Sequence, residues 1–218
     1  GKVIPSSAEK LRLNAEMTDG RIVEGESQIP HAHGKIKRVF TPPEHPKAIQ
    51  SAVDAIKEAD AIVLGPGSLY TSIMPNLCVP DIVQAVRTSK APKIYICNVM
   101  TQPGETDDYT VSDHIRAINR QAGGKVIDFV IANNGDVDSA VLQRYVAHGS
   151  HPVMIDKKEV SQTGATLILS NLINKENSAT HDTKKLANVH FDLINAVRTD
   201  LAPELLHYYL KRYTFTHR

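Results

Sequence analysis

Apolar and polar positions change rhythm along the chain, and each rhythm predicts a different element. Around Asp19-Gly20 they alternate, with Leu11, Leu13 and Ala15 before the dipeptide and Ile22 after it. Alternation places one strand face on a core, and Asp-Gly tolerates the positive φ that closes a hairpin. Residues 35–40 predict a further short strand, stopped by Pro42-Pro43 because proline has no amide to give a ladder. From Pro46, placed at a helix start, the period becomes helical, with Ile49, Ala52, Val53, Ile56 and Ala59 on one stripe. A unit of short apolar run, polar or glycine-containing loop and amphipathic helix then recurs. Runs at 61–64, 94–97 and 126–132 lead into loops at Gly65, Asn98 and Asn133-Asn134-Gly135, followed by helices over 81–88, 112–121 and 139–147. Strands alternating with helices imply right-handed βαβ units and a mostly parallel sheet covered by helices on both faces, an α/β class.

Residues 153–155 and 166–169 predict two closing strands, and 171–180 a polar linker. A helical tail follows, with Asp182 as N-cap, one face of Leu186, Val189, Leu193, Ile194 and Val197, and a second of Leu205, Leu206, Tyr209, Leu210 and Tyr213. The expected organisation is a β-rich segment over 1–45 containing the hairpin, an α/β ligand-binding core over 46–170, and a linker with helical tail over 171–218. Neither an internal repeat nor a low-complexity tract is present.

Composition narrows the function. Of 218 residues, 41% are apolar and 22% charged, within the range of chains that fold. Lys and Arg number 25 against 24 Asp and Glu, a net charge of +1 that offers no broad field for nucleic acid or an anionic membrane. No apolar run approaches the roughly 18 residues of a membrane span. Cys78 and Cys97 form no C-x-x-C pair or disulfide framework, so free thiols and a cytoplasmic location are expected.

In an open parallel sheet, ligands lie beyond the carboxyl ends of the strands, which points to three loops. In the first, Gly65 and Gly67 let a ligand approach the backbone, the amides of Leu69 and its neighbours could face an anion, and Ser68, Tyr70, Thr71 and Ser72 offer hydroxyls. The same spacing also suits a plain strand-to-helix turn. In the second, Pro103-Gly104 suits a type II turn, whereas Asn98, Thr101, Gln102, Glu105 and Thr106 exceed what a turn needs and could orient a sugar, base or metal. The third reads first as turn chemistry, with Asp136 the candidate carboxylate for a magnesium ion on a substrate phosphate. Thr110 and Asp113 have capping-box spacing, which makes Asp113 a helix-start residue and His114 more a structural neighbour than an acid or base. His31-x-His33 lacks zinc-like companions, Ser68 lacks a nucleophile-elbow setting, and no G-x-G-x-x-G supports a dinucleotide dehydrogenase. Lys211-Arg212 and His217-Arg218 read as a solvated helix face.

Gly65-Pro66-Gly67-Ser68-Leu69-Tyr70-Thr71-Ser72, then Pro75-Asn76-Leu77, residues 95–106 and Ser112-Asp113-His114 closely resemble the bacterial gluconeogenesis factor family, within the superfamily of 2-phospho-L-lactate transferases. Asp19-Gly20, Gly25-Glu26-Ser27 and His181-Asp182 extend the resemblance from the first residue to about Leu186. It implies a Rossmann-like core that binds a nucleotide sugar of the UDP-N-acetylglucosamine type. It also implies a cytoplasmic role in cell shape and cell-wall synthesis during growth on gluconeogenic carbon, with cell-wall synthesis proteins as partners. The related transferases imply an alternative, a magnesium-dependent phosphotransferase; no cofactor other than that magnesium is implied, and no catalytic residue is assigned. Tyr145 resembles a family position that touches the uridine, and Thr180 stands where the family usually carries an arginine that would contact phosphate. Family members begin with a strand and a glycine-rich loop that this chain lacks, so it resembles a C-terminal fragment whose exposed sheet edge favours a homo-oligomer. Docking of the tail helix on another protein is a third expectation.

Overall fold

The computed structural model of the chain describes residues 1–174, 178–198 and 214–216. Asp19 and Gly20 turn the backbone between β1 (Asn14–Met17) and β2 (Ile22–Glu24), with Gly20 at φ 89°. β3 (Ile36–Phe40) pairs on the other edge of β1, completing an antiparallel sheet in the order β2-β1-β3. Lys37 and Arg38 on β3 both hold the Glu16 carboxylate on β1, at 2.6 and 2.7 Å.

Pro46 does not start the next helix. Ala48 bridges Ser7 and the Ile49 amide donates to the Ser6 carbonyl at 3.1 Å, so this stretch pairs with the N-terminal segment. α1 (Gln50–Lys57) begins only after Ile49, whose extended backbone serves as N-cap.

β4 (Ile62–Leu64), β5 (Lys93–Ile96), β6 (Phe129–Asn133) and β7 (Thr166–Ser170) lie side by side in chain order and run parallel; β8 (Thr214–Thr216) adds antiparallel to β7. Because each crossover moves to the next strand in the same direction, its helices collect on one face. α2 (Pro80–Thr88), α3 (Val111–Gln121) and α5 (Lys157–Thr163) bury Ile82, Ile115, Ile118 and Val160 in one cluster with Tyr95, Val130 and Leu167. That cluster continues through Leu69 and Leu77 to Ala15, Met17 and Val39 of the small sheet.

The opposite face presents Ile94, Ile131 and Ile168 to Val189 and Leu193 of α6 (Thr183–Arg198), with Leu186, Ile194 and Val197 at its margin. The tail stripe expected to seek another protein therefore covers the chain's own sheet. Asp182 caps α6, its Oδ1 accepting the Lys184 and Lys185 amides at 3.0 Å each. The second tail stripe, from Leu205 to Tyr213, lies outside the described residues.

Other local expectations also differ from the structure. Residues 153–155 form no strand: Met154 makes one bridge to Thr110 and Pro152 one to Met100, enough to tie this stretch to α3 and to the loop after β5. α5, unanticipated, has one buried residue, Val160, and so leaves no apolar stripe in the sequence. The expected linker also contributes to the interior, with Leu172 and Ile173 buried. No helix among the described residues is long and apolar enough to cross a membrane.

Candidate functional site

The loops after β4 and β5 leave the carboxyl ends of adjacent strands and meet over a cleft of about 820 Å³, completed by α4 (Ser139–Ala147) and by residues 179–186 at the start of α6. That size suits a ligand of nucleotide dimensions.

In the first loop Gly65 takes φ 91°, and a Cβ there would stand 3.1 Å from the Ile96 carbonyl. Gly67 and Ser68 line the cleft. The chain then makes one wide helical turn, Leu69–Ile73, that directs Leu69 and Tyr70 into the core, at 0% and 1% exposure. The Tyr70 hydroxyl lies 2.7 Å from that of Tyr109, and burial raises its pKa far beyond the usual phenol range. Thr71 donates its hydroxyl to Glu105 Oε1 at 3.1 Å, and the Tyr70 amide donates to Glu105 Oε2 at 3.3 Å. Ser72 faces away, onto an apolar cavity of about 490 Å³ beside β4 and α1.

The second loop is held from within and from behind. The Gln102 amide donates to Thr106 Oγ1 at 2.9 Å, and Thr101 exchanges backbone and side-chain bonds with His151 at 2.7 and 2.9 Å. The Thr101 and Thr106 hydroxyls are thus engaged in building the loop, both buried. Asn98 Nδ2 donates to Gln102 Oε1 at 3.3 Å, and Gln102 Nε2 donates to Ser68 Oγ at 2.7 Å, one side-chain relay across both loops. Burial raises the Glu105 pKa above its ordinary value against the lowering effect of its donors on Thr71 and Tyr70.

The third loop stands apart. Asn133 accepts the Gly135 and Leu172 amides at 3.1 and 2.9 Å, and Asp138 caps α4 through Ala140 and Val141. Asp136 is exposed and does not line the cleft, leaving Glu105 as the one carboxylate among the described lining residues. Among the described residues no group of three or more His, Cys, Asp or Glu converges as a metal site. Tyr145, half-buried on α4, and exposed Thr180 line the cleft with His148.

Sequence reasoning missed Met100, Ser150, His181 and Thr183 in the lining. His181 packs against the Cys97 carbonyl, and burial holds its imidazole below the usual range. Ser150 reaches the cleft through the pairing of Pro152 with Met100, a contact between distant segments that no local pattern announces. Neither Lys nor Arg occurs among the described lining residues; hydroxyls, side-chain amides, the Glu105 carboxylate, two imidazoles and the Tyr145 ring share the wall with proline rings and the apolar Val99, Met100 and Leu186. Ser112, Asp113 and His114 form no triad: Asp113 closes a capping box with Thr110, Ser112 bonds Asp156, and His114 is wholly buried.

Together these features define a Rossmann-like α/β protein with a polar cleft at the ends of its parallel strands. The profile of 2-phospho-L-lactate transferase CofD matches residues 1–173, and the chain belongs to that family. The gluconeogenesis factor of Bacillus subtilis is 44% identical over 195 residues, 89% of this chain and 62% of its own length. A Nostoc relative is 48% identical over 192 residues, 87% of this chain and 42% of its own length. A crystal structure of a Bacillus halodurans protein superposes with a TM-score of 0.84 at 42% identity, over 88% of this chain and 62% of that one. The chain therefore spans about half the length of such relatives.

Proposed function

We propose that the cleft binds a nucleotide sugar of the UDP-N-acetylglucosamine type, and that the protein is a cytoplasmic regulator of cell shape and cell-wall synthesis during gluconeogenic growth, acting with cell-wall synthesis proteins. The observation that carries this reading is the meeting of both strand-end loops with Tyr145 around one cleft that offers side-chain hydroxyls and amides beside apolar surface. Gly67, Ser68, Asn98, Gln102 and Glu105 belong to the wall that orders the sugar, with Tyr145 against the base. Thr101 and Thr106 hold their loop in shape, while Leu69, Tyr70 and Thr71 hold the turn beneath it. A nucleotide sugar suits this chemistry: its hydroxyls and amide match neutral donors and acceptors, and its base offers a face to an aromatic ring.

Isothermal titration of the protein with UDP-N-acetylglucosamine tests the reading. A saturable heat is expected, with Tyr145→Ala weakening binding by about 1–3 kcal/mol, the range for base–aromatic stacking. Absence of heat at millimolar ligand removes the proposal.

The family's description favours one second reading, a magnesium-dependent transferase of phosphorus-containing groups. One or two carboxylates suffice for magnesium on a substrate phosphate, and Glu105 is the lining carboxylate available. Binding of the nucleotide sugar without transfer from any nucleotide-activated donor, magnesium present, would rule this out.

A further inference from the structure

We infer that Glu105 is a positioning residue that sets the first loop by occupying its free donors from within. The inference rests on the cleft being the ligand site, and it gives Glu105 a task beyond its place in the cleft wall. Its carboxylate receives the Tyr70 amide at 3.3 Å and the Thr71 hydroxyl at 3.1 Å, with the Thr71 amide also turned toward it. It is 7% exposed and has no ion-pair partner among the described residues. A carboxylate buried without a cation is costly unless hydrogen bonds compensate, and these donors are the compensation. The same donors would otherwise be the ones to hold an external anion. Glu105 fills that place, so the loop presents Gly67 and Ser68 to the ligand.

The brace is anchored at its base. Glu105 N and Thr106 N both donate to the Gln102 carbonyl, at 3.0 and 2.9 Å, closing a tight turn. Within that turn Gly104 lies so near the Pro30 carbonyl that a Cβ would meet it at 1.8 Å. The backbone of Glu105 is thus fixed between its own loop and the helical turn Glu26–His31 that links β2 to β3, and its side chain spans to the first loop. Gln102 makes the second strut: by donating to Ser68 Oγ it leaves the Ser68 proton free for an acceptor in the cleft. A hydroxyl, carbonyl or ether oxygen of a sugar meets that donor without the repulsion that the nearby carboxylate imposes on a phosphate.

The test is chemical rescue in the full chain. Amide NMR shifts of Gly67, Ser68, Tyr70 and Thr71 and titration with UDP-N-acetylglucosamine are read for wild type, Glu105→Ala and Glu105→Gln, with and without sodium formate. In Glu105→Ala all four amides are expected to move, and affinity to fall by more than about tenfold, the loss appropriate to charged hydrogen bonds. Formate should then return the Tyr70 and Thr71 signals and restore affinity, while leaving wild type unaffected. Glu105→Gln keeps the volume and one acceptor, so it serves if the alanine variant does not fold; a smaller shift at the same amides is expected. The inference is overturned if wild-type Tyr70 and Thr71 amides respond to formate or inorganic phosphate, or if neither substitution moves them. Failure of wild type to bind the nucleotide sugar removes the functional reading alone, since the formate arm still decides whether Glu105 holds these donors.

Discussion

Two glycines separate conformational from steric need. Gly20 and Gly104 both lie at positive φ, yet a Cβ on Gly20 meets nothing within 4 Å whereas one on Gly104 strikes the Pro30 carbonyl. Gly20→Ala should cost about 1–2 kcal/mol, the left-handed penalty alone. Gly104→Ala should cost about 2–4 kcal/mol, because overpacking against backbone is added; urea unfolding of both variants measures the gap. His114 gives a pH dependence with a definite sign. The ring donates through Nδ1 to the Thr110 carbonyl, is fully buried, and has its pKa held below 6.5 chiefly by that burial. A depressed folded-state value means that its contribution is complete above about 6.5 and is lost as pH falls through the folded value. His181 and His190 are depressed for the same reason and add to the fall. Stability measured from pH 7 down to 5 should therefore decline, and less steeply in His114→Phe. At this scale the sequence was partly legible. The type of side chain in the second loop announced a role beyond turn chemistry, but the division of labour did not show: Thr101 and Thr106 look as available as Gln102 until their partners, His151 and the Gln102 amide, are known.

Elements were legible where one face alone is buried. The stripe from Leu186 to Val197 marked α6 correctly, and the alternating signal at 11–15 marked β1. Neither stripe could say what it packs against. The surface under α6 is built from Ile94, Ile131 and Ile168, each on a different strand, and strand order is fixed by pairing between distant residues. α5 was invisible because it buries only Val160, and residues 153–155 misled because only single bridges tie this stretch to Thr110 and Met100, with Met154 turned out to solvent rather than into a ladder's buried face. The packing of α6 makes Leu193, which is wholly buried, a sensitive position. Leu193→Ala should cost about 2–5 kcal/mol, with hydrogen exchange accelerated in β5, β6 and β7 beneath it; unchanged protection in those strands would show that another element carries the face.

For the whole molecule, the parallel strands follow one another without reversal, and β4 pairs on one side only among the described residues. Val63 on that strand is 38% exposed, a large apolar side chain beside unpaired backbone. Such edges pair with other chains unless charge intervenes. For this 218-residue chain, Val63→Lys should lower any self-association read by sedimentation velocity while leaving the cleft loops intact. The sequence conveyed the α/β class, since runs and helices alternate, yet not the one-directional strand order that gathers α2, α3 and α5 on a single face.

That one-directional order has a consequence for biosynthesis. Every strand under α6 is made before α6 itself, so a chain emerging from the ribosome carries Ile94, Ile131 and Ile168 uncovered until the segment Thr183–Arg198 has left the exit tunnel. Nascent chains halted short of that point should recruit holdase chaperones, and those released after it should shed them.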